Sequence, residues 1–272
     1  IGNVDATFKN QFEDFSIEEG GESNLDIIMF EGSDIAYIFG ASGELKRSED
    51  RGETWTDVTK PSTYTGYILD SHFFSPSEGI VVGQNGIMHT IDGTNGTEWE
   101  IVHPFNDYIW RVDFVGDVGF ASVTGNLLFK TTDRGRTWTE VVPGVGGKQA
   151  RAVCMVDENT IIFAYWNEFI LKSNDGGVSW RFVKNQNRSY IRDIKFVDDV
   201  TGYAIDQLGT IQKTTDKGET WTALGIGHFA LLYRIYIVDK NEIYFSGQNG
   251  IIIKTVDEGE TAEKYYVGKN IT

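Results

Sequence analysis

The sequence predicts an all-β chain built as a six-bladed β-propeller of four-stranded antiparallel blades. Three observations carry that expectation: one eight-residue box recurs along the chain, its copies stand about 41 residues apart, and no helical period competes between them. The box reads Ser48-Glu-Asp50-Arg-Gly52-Glu-Thr54-Trp55, then Thr131-Thr-Asp133-Arg-Gly135-Arg-Thr137-Trp138, Ser173-Asn-Asp175-Gly-Gly177-Val-Ser179-Trp180 and Thr214-Thr-Asp216-Lys-Gly218-Glu-Thr220-Trp221. Two copies are imperfect. Thr90-Ile-Asp92 reaches Gly96 and Trp99 through two extra residues, and Thr255-Val-Asp257-Glu-Gly259-Glu-Thr261 ends in Ala262. The aspartates Asp50, Asp92, Asp133, Asp175, Asp216 and Asp257 are spaced by 42, 41, 42, 41 and 41 residues, which leaves no room for separate domains.

In chain order, residues 1–23 come first and include Ala6-Thr-Phe-Lys-Asn-Gln-Phe-Glu-Asp-Phe15, long enough to lend a ring-closing strand to the propeller of residues 24–272. Six units account for the rest; a seventh, box-less blade assembled from both ends is the alternative. Within a unit, short runs rich in aromatic and β-branched residues read as strands, as in Tyr108–Val115, Val118–Val123, Leu127–Lys130 and Trp138–Val142. The box falls between the third and fourth strands. Its hydroxyl and carboxylate can accept backbone N–H groups that a hairpin leaves unpaired, glycine supplies a positive φ, and tryptophan offers an apolar face to the sheet. The six aspartates therefore read as structural. The basic residue near each box, Arg47, His89, Lys130, Lys172, Lys213 and Lys254, reads as a solvated strand position.

Composition removes several functions. With 24 basic against 40 acidic residues the net charge is -16, which repels a polyphosphate, so no nucleic-acid partner is expected. Cys154 is the single cysteine, and no Cys/His grouping has the spacing of a metal site; no metal or cofactor is expected. No apolar run approaches the roughly 20 residues of a membrane-spanning helix, and the start, Ile-Gly-Asn, is neither an initiator Met nor a basic-plus-apolar leader.

The boxes resemble the Asp-box, or BNR, repeat of sialidases, sortilin-type receptors and photosystem II stability/assembly factors, over residues 24 to 267. Repeats as short as Leu128-Phe-Lys-Thr-Thr-Asp-Arg-Gly-Arg-Thr-Trp138 look most like the Ycf48-like group. That resemblance implies a non-catalytic propeller that holds a segment of another protein during assembly. A monomer is expected, and the single thiol, the start of the chain and the family's frequent export together suggest the periplasm, the cell surface or secretion. Such resemblance is specific for fold and nearly silent on function.

Site candidates come from bookkeeping. Five tryptophans belong to boxes, and the other two, Trp110 and Trp166, map to the opposite rim. Five arginines lie in or beside box hairpins, while Arg111, Arg151, Arg188, Arg192 and Arg234 stand where first strands begin, with Lys148 among them. Tyr190 and Tyr233 lie there too. In an acidic chain, such a gathering of guanidinium and aromatic groups suits an acidic peptide or carboxylate. The alternative stands beside it: Asp70, Asp107, Asp113 and Asp193 lie in the same regions, and Arg–carboxylate pairs can close a channel while binding nothing. A sialidase-like glycosidase is the enzymatic alternative, but the first 46 residues hold no arginine and the turns are tight. Glycan binding without turnover is the third reading.

Overall fold

The computed structural model describes residues 26–125, 127–144, 150–165, 169–184, 189–227 and 230–267. The ring-closing strand expected of residues 1–23 lies outside them. The chain divides into two compact units, one ending at Ile109 and the other starting at Trp110.

In the first unit, β1 (Asp26–Met29), β2 (Ala36–Phe39), β3 (Leu45–Ser48) and β4 (Thr56–Asp57) form an antiparallel sheet in sequential order. β5 (Ile68–Ser75) and β6 (Glu78–Thr90) follow, and β7 (Trp99–Val115) begins in this unit and ends in the second. Tyr37, Phe39, Tyr64, Val81, Met88 and Trp99 make the core. Tyr37 sends its buried hydroxyl to the carbonyls of Pro76 (2.9 Å) and Gly96 (3.3 Å), so this ring contributes both apolar area and a satisfied polar tip.

The second unit continues with β8 (Val118–Val123), β9 (Leu128–Thr131) and β10 (Thr139–Val141). Three four-stranded antiparallel sheets follow, each in sequential order: β11 (Ala150–Met155) to β14 (Arg181–Lys184), with β12 (Ile161–Tyr165) and β13 (Phe169–Ser173) between; β15 (Ile191–Phe196) to β18 (Thr222–Ala223), with β16 (Gly202–Asp206) and β17 (Ile211–Thr214); and β19 (Leu232–Ile237) to β22 (Glu263–Tyr266), with β20 (Ile243–Gly247) and β21 (Ile251–Thr255). Alternate residues face opposite ways, so the β11–β14 and β15–β18 sheets bury both faces, while β19–β22 buries the face that carries Leu232, Ile243, Phe245 and Ile253.

The expectation of six blades, or of seven, is corrected: the described strands form five sheets. The second and third box units share one six-stranded sheet, in the order β10-β9-β8-β7-β6-β5. The cause is local. Pro104, Asn106 and Asp107 are turn-forming residue types, yet the strand continues through them: Phe105 pairs with Asn85 and Tyr108 with Gln84, with a register shift at Asn106 and Asp107. β7 therefore runs unbroken for 17 residues.

The boxes repeat one hydrogen-bond pattern. In the fourth, Ser173 Oγ donates to Asp175 Oδ1 (2.8 Å), Gly177 N donates to Ser173 Oγ (2.9 Å), and Ser179 gives its N–H to Oδ1 (2.8 Å) and its hydroxyl to Oδ2 (2.5 Å). Asp50, Asp133, Asp216 and Asp257 are held the same way. These bonds to the ionised form keep the carboxyls of Asp50, Asp175 and Asp257 at about 2, with the hydroxyl of the following Thr or Ser the largest cause. Three box tryptophans fold back on their own glycine: Trp99 Nε1 donates to Gly96 O at 3.1 Å, Trp138 Nε1 to Gly135 O at 2.8 Å and Trp180 Nε1 to Gly177 O at 3.1 Å.

Three of the lysines read as solvated do something else. Each reaches into the box turn of the next sheet: Lys130 Nζ to Gly176 O (2.7 Å), Lys172 Nζ to Lys217 O (2.7 Å) and Lys213 Nζ to Glu258 O (3.1 Å). Lys172 is 2% exposed and also meets Glu219 at 2.7 Å. The carbonyls they reach belong to residues in the left-handed region, Gly176, Lys217 and Glu258.

Candidate functional site

The site lies in the second unit, on the first strands of successive sheets. β11, β15 and β19 lie side by side, and each carries an extra residue against its partner strand, between Ala150 and Ala152, Ile191 and Asp193, and Leu232 and Arg234. The extra residues are Arg151, Arg192 and Tyr233. A bulge leaves its residue outside the ladder and re-aims the side chain. Trp110 falls 41 residues before Arg151, so the chain places aromatic, Arg, Arg, aromatic at one repeat position on β7, β11, β15 and β19.

Those side chains meet. The Arg151 guanidinium lies over the Trp110 ring, 3.5 Å from its centre, and the Arg192 guanidinium over Tyr233 at 5.7 Å. Trp110, Arg111, Arg151, Tyr190, Ile191, Arg192 and Gln207 line a small cleft of about 50 Å³. All four Trp110, Arg111, Arg151 and Arg192 side chains are partly buried. Burial, and then the charge of Arg192, push the Arg151 pKa down to about 10; burial also lowers Arg192. Two cations thus share a half-dry cleft, an arrangement that an anion relieves.

The neighbouring carboxylates take another task. Asp193 Oδ2 accepts the Ile235 N–H of the next first strand at 2.9 Å, and Asp113 Oδ2 accepts that of Met155 at 2.8 Å. They stitch one first strand to the next through the backbone, and none of the described residues lining the cleft is acidic. Two lining residues, Ile191 and Gln207, were not singled out by the sequence. Gln207 sits in the turn after β16, anchored by its N–H to Tyr190 O (3.0 Å) and by Asp206 Oδ1, which accepts the N–H groups of Leu208 and Thr210, both at 2.9 Å. The only signal in the sequence was the Asp-x-x-Gly of that turn.

Arg234 stands beside Tyr233 on β19 and is not among the residues lining the cleft. Lys148, Trp166 and Arg188 lie outside the described residues. Among the described residues, no His/Cys/Asp/Glu group is arranged to hold a metal ion, and no helix is long and apolar enough to cross a membrane.

Sheets of four antiparallel strands joined through box hairpins define an Asp-box propeller, and solved structures agree. One titled "YCF48 bound to D1 peptide" superposes over 89% of this chain and 80% of its own, with a TM-score of 0.68 and 20% identity; YCF48 from Cyanidioschyzon merolae does so over 90% and 85%, with a TM-score of 0.69 and 15% identity. A family profile described as "Photosynthesis system II assembly factor YCF48" matches residues 171–271. The Photosystem II assembly lipoprotein Ycf48 of Synechococcus sp. (strain CC9902) is 26% identical over 156 residues, 54% of this chain and 45% of the relative. The chain thus matches about half the length of that relative. Its fold is a propeller with Asp-box, or BNR, repeats, similar to those of the Ycf48 type.

Proposed function

We propose that this chain is a non-catalytic platform that binds another protein during assembly, and that the cleft at Arg111, Arg151 and Arg192 takes a carboxylate of an acidic peptide. The observation that carries this reading is the pair of stacked guanidiniums: Arg151 on Trp110 and Arg192 on Tyr233, close enough that one depresses the pKa of the other. Planar guanidinium donors match a carboxylate in two parallel hydrogen bonds, and flat aromatic neighbours keep the donors extended and partly dry. A cleft of about 50 Å³ admits a carboxylate and little more, so the rest of a peptide would lie across the rim on Tyr190 and Tyr233. The resemblance to a solved Ycf48 titled as bound to a D1 peptide supports peptide binding, and the names of the relatives support an assembly role on the exported side of a membrane.

Calorimetric titration at low salt tests this. An acidic peptide should bind, and its neutral amide counterpart should bind at least tenfold more weakly. Equal affinity of the two peptides, or hydrolysis of a sialoside that Arg192→Ala abolishes, would replace the platform reading.

A further inference from the structure

The seam between the sheets β11–β14 and β15–β18 holds polar atoms that the fold leaves unserved. One side of the seam is apolar: Ala152, Cys154, Ile162, Ala164, Ile170 and Val183 face Ile194, Ala204 and Trp221. In the β16–β17 ladder Ala204 pairs with Gln212 and Ile205 with Ile211. Asp206 and Gln212 therefore share the face of Ala204 at diagonal positions, where Cβ atoms stand within about 7–8 Å. Both residues are 0% exposed. Asp206 Oδ1 is spent on its turn, but Asp206 Oδ2 and both amide atoms of Gln212 are buried without a hydrogen-bond partner in the protein. The places 41 residues earlier hold Phe163, Tyr165 and Leu171, so Ala204, Asp206 and Gln212 fill less of the same layer.

We propose that one water molecule is bound in this seam, donating to Asp206 Oδ2 and Gln212 Oε1 and accepting from Gln212 Nε2. The water's two donors and one of its acceptor sites meet two acceptors and one of the two Gln212 N–H donors, the usual three bonds of a buried water. A direct Gln212–Asp206 bond would serve Oδ2 and Nε2 and leave Oε1 bare, and a cation would face the amide N–H₂. Buried polar atoms in folded proteins are rarely left unpaired, because each costs its full desolvation. The water would also fix the second oxygen of the carboxylate whose first oxygen holds the turn bearing Gln207.

A crystal structure that resolves solvent tests the site, together with Gln212→Met. The expected result is a density peak within hydrogen-bond distance of all three atoms in the wild type. In Gln212→Met the peak should vanish and the melting temperature fall by about 2–4 °C, as Asp206 Oδ2 loses its partner. Absence of the peak in the wild type, direct contact of the Gln212 amide with Asp206, or a melting temperature unchanged or raised by the substitution would each overturn the proposal. Should the variant fail to fold, the wild-type density decides.

Discussion

Replacing Arg151 by glutamine should make the free protein slightly more stable while weakening anion binding. Burial and the neighbouring Arg192 depress the Arg151 pKa from the ordinary guanidinium value to about 10, which measures how much the folded state disfavours this charge. At about 1.4 kcal/mol per pKa unit the penalty is at most about 3.5 kcal/mol. Solvent reaches part of the side chain, and screening reduces this to about 1–2 kcal/mol. Glutamine forfeits the stacking on Trp110, worth about 0.5–1 kcal/mol. The balance favours the variant by about 0.5–1 kcal/mol, or about 1–2 °C in melting temperature for a chain of this size. Because the folded pKa is the lowered one, the penalty is fully present below about pH 10 and fades only as pH rises through it. Thermal denaturation at pH 7 and low salt, with and without an acidic peptide, reads both effects: the peptide should raise the wild-type midpoint more than that of the variant. A fall of more than about 3 °C for free Arg151→Gln would refute the reasoning and make these arginines structural closures.

Other consequences are measurable on the same preparations. Lys172→Ala should lower the melting temperature by about 4–8 °C, since it strips a buried cation that ties the box turn of the next sheet through Lys217 O and Glu219; Lys46→Ala, with an exposed surface pair, should barely change it. Trp221→Ala should cost about 3–5 kcal/mol in chemical denaturation, because the ring is 1% exposed and packs edge-on against Phe196 at 6.1 Å. The box carboxyls of Asp50, Asp175 and Asp257, held at about 2, contribute stability that is present above the ordinary carboxylate pKa and lost as pH falls through about 2. Acid titration followed by circular dichroism should therefore show unfolding that begins below about pH 4, and Asp175→Asn should make stability less dependent on pH there.

The repeat made most of the fold legible in advance, because a fixed spacing near 41 residues dictates the sheet unit and places the box in one hairpin. It also placed Trp110, Arg151, Arg192 and Tyr233 at one repeat position without saying that three of them are bulge residues whose side chains leave the ladder. A bulge depends on how two strands share hydrogen bonds, which residue identity encodes weakly. The sheet count failed at Pro104–Asp107, where turn-forming residues sit within a continuing strand because Gln84 and Asn85 offer it a pairing edge. The lysines before the boxes looked solvated because charge usually is; their long stems instead carry the ammonium across a seam to the carbonyl of a left-handed residue. Gln207 was hidden for a similar reason, since its place at the cleft comes from the turn that Asp206 caps.

The most direct measurement is a structure of this chain with a bound acidic peptide. The proposed function expects a peptide carboxylate seated between Arg151 and Arg192, within hydrogen-bond distance of both guanidiniums, with Trp110 and Tyr233 still stacked outside them. A peptide bound with its carboxylates in solvent, or on the box side of the sheets while these two arginines contact only each other's surroundings, would contradict it.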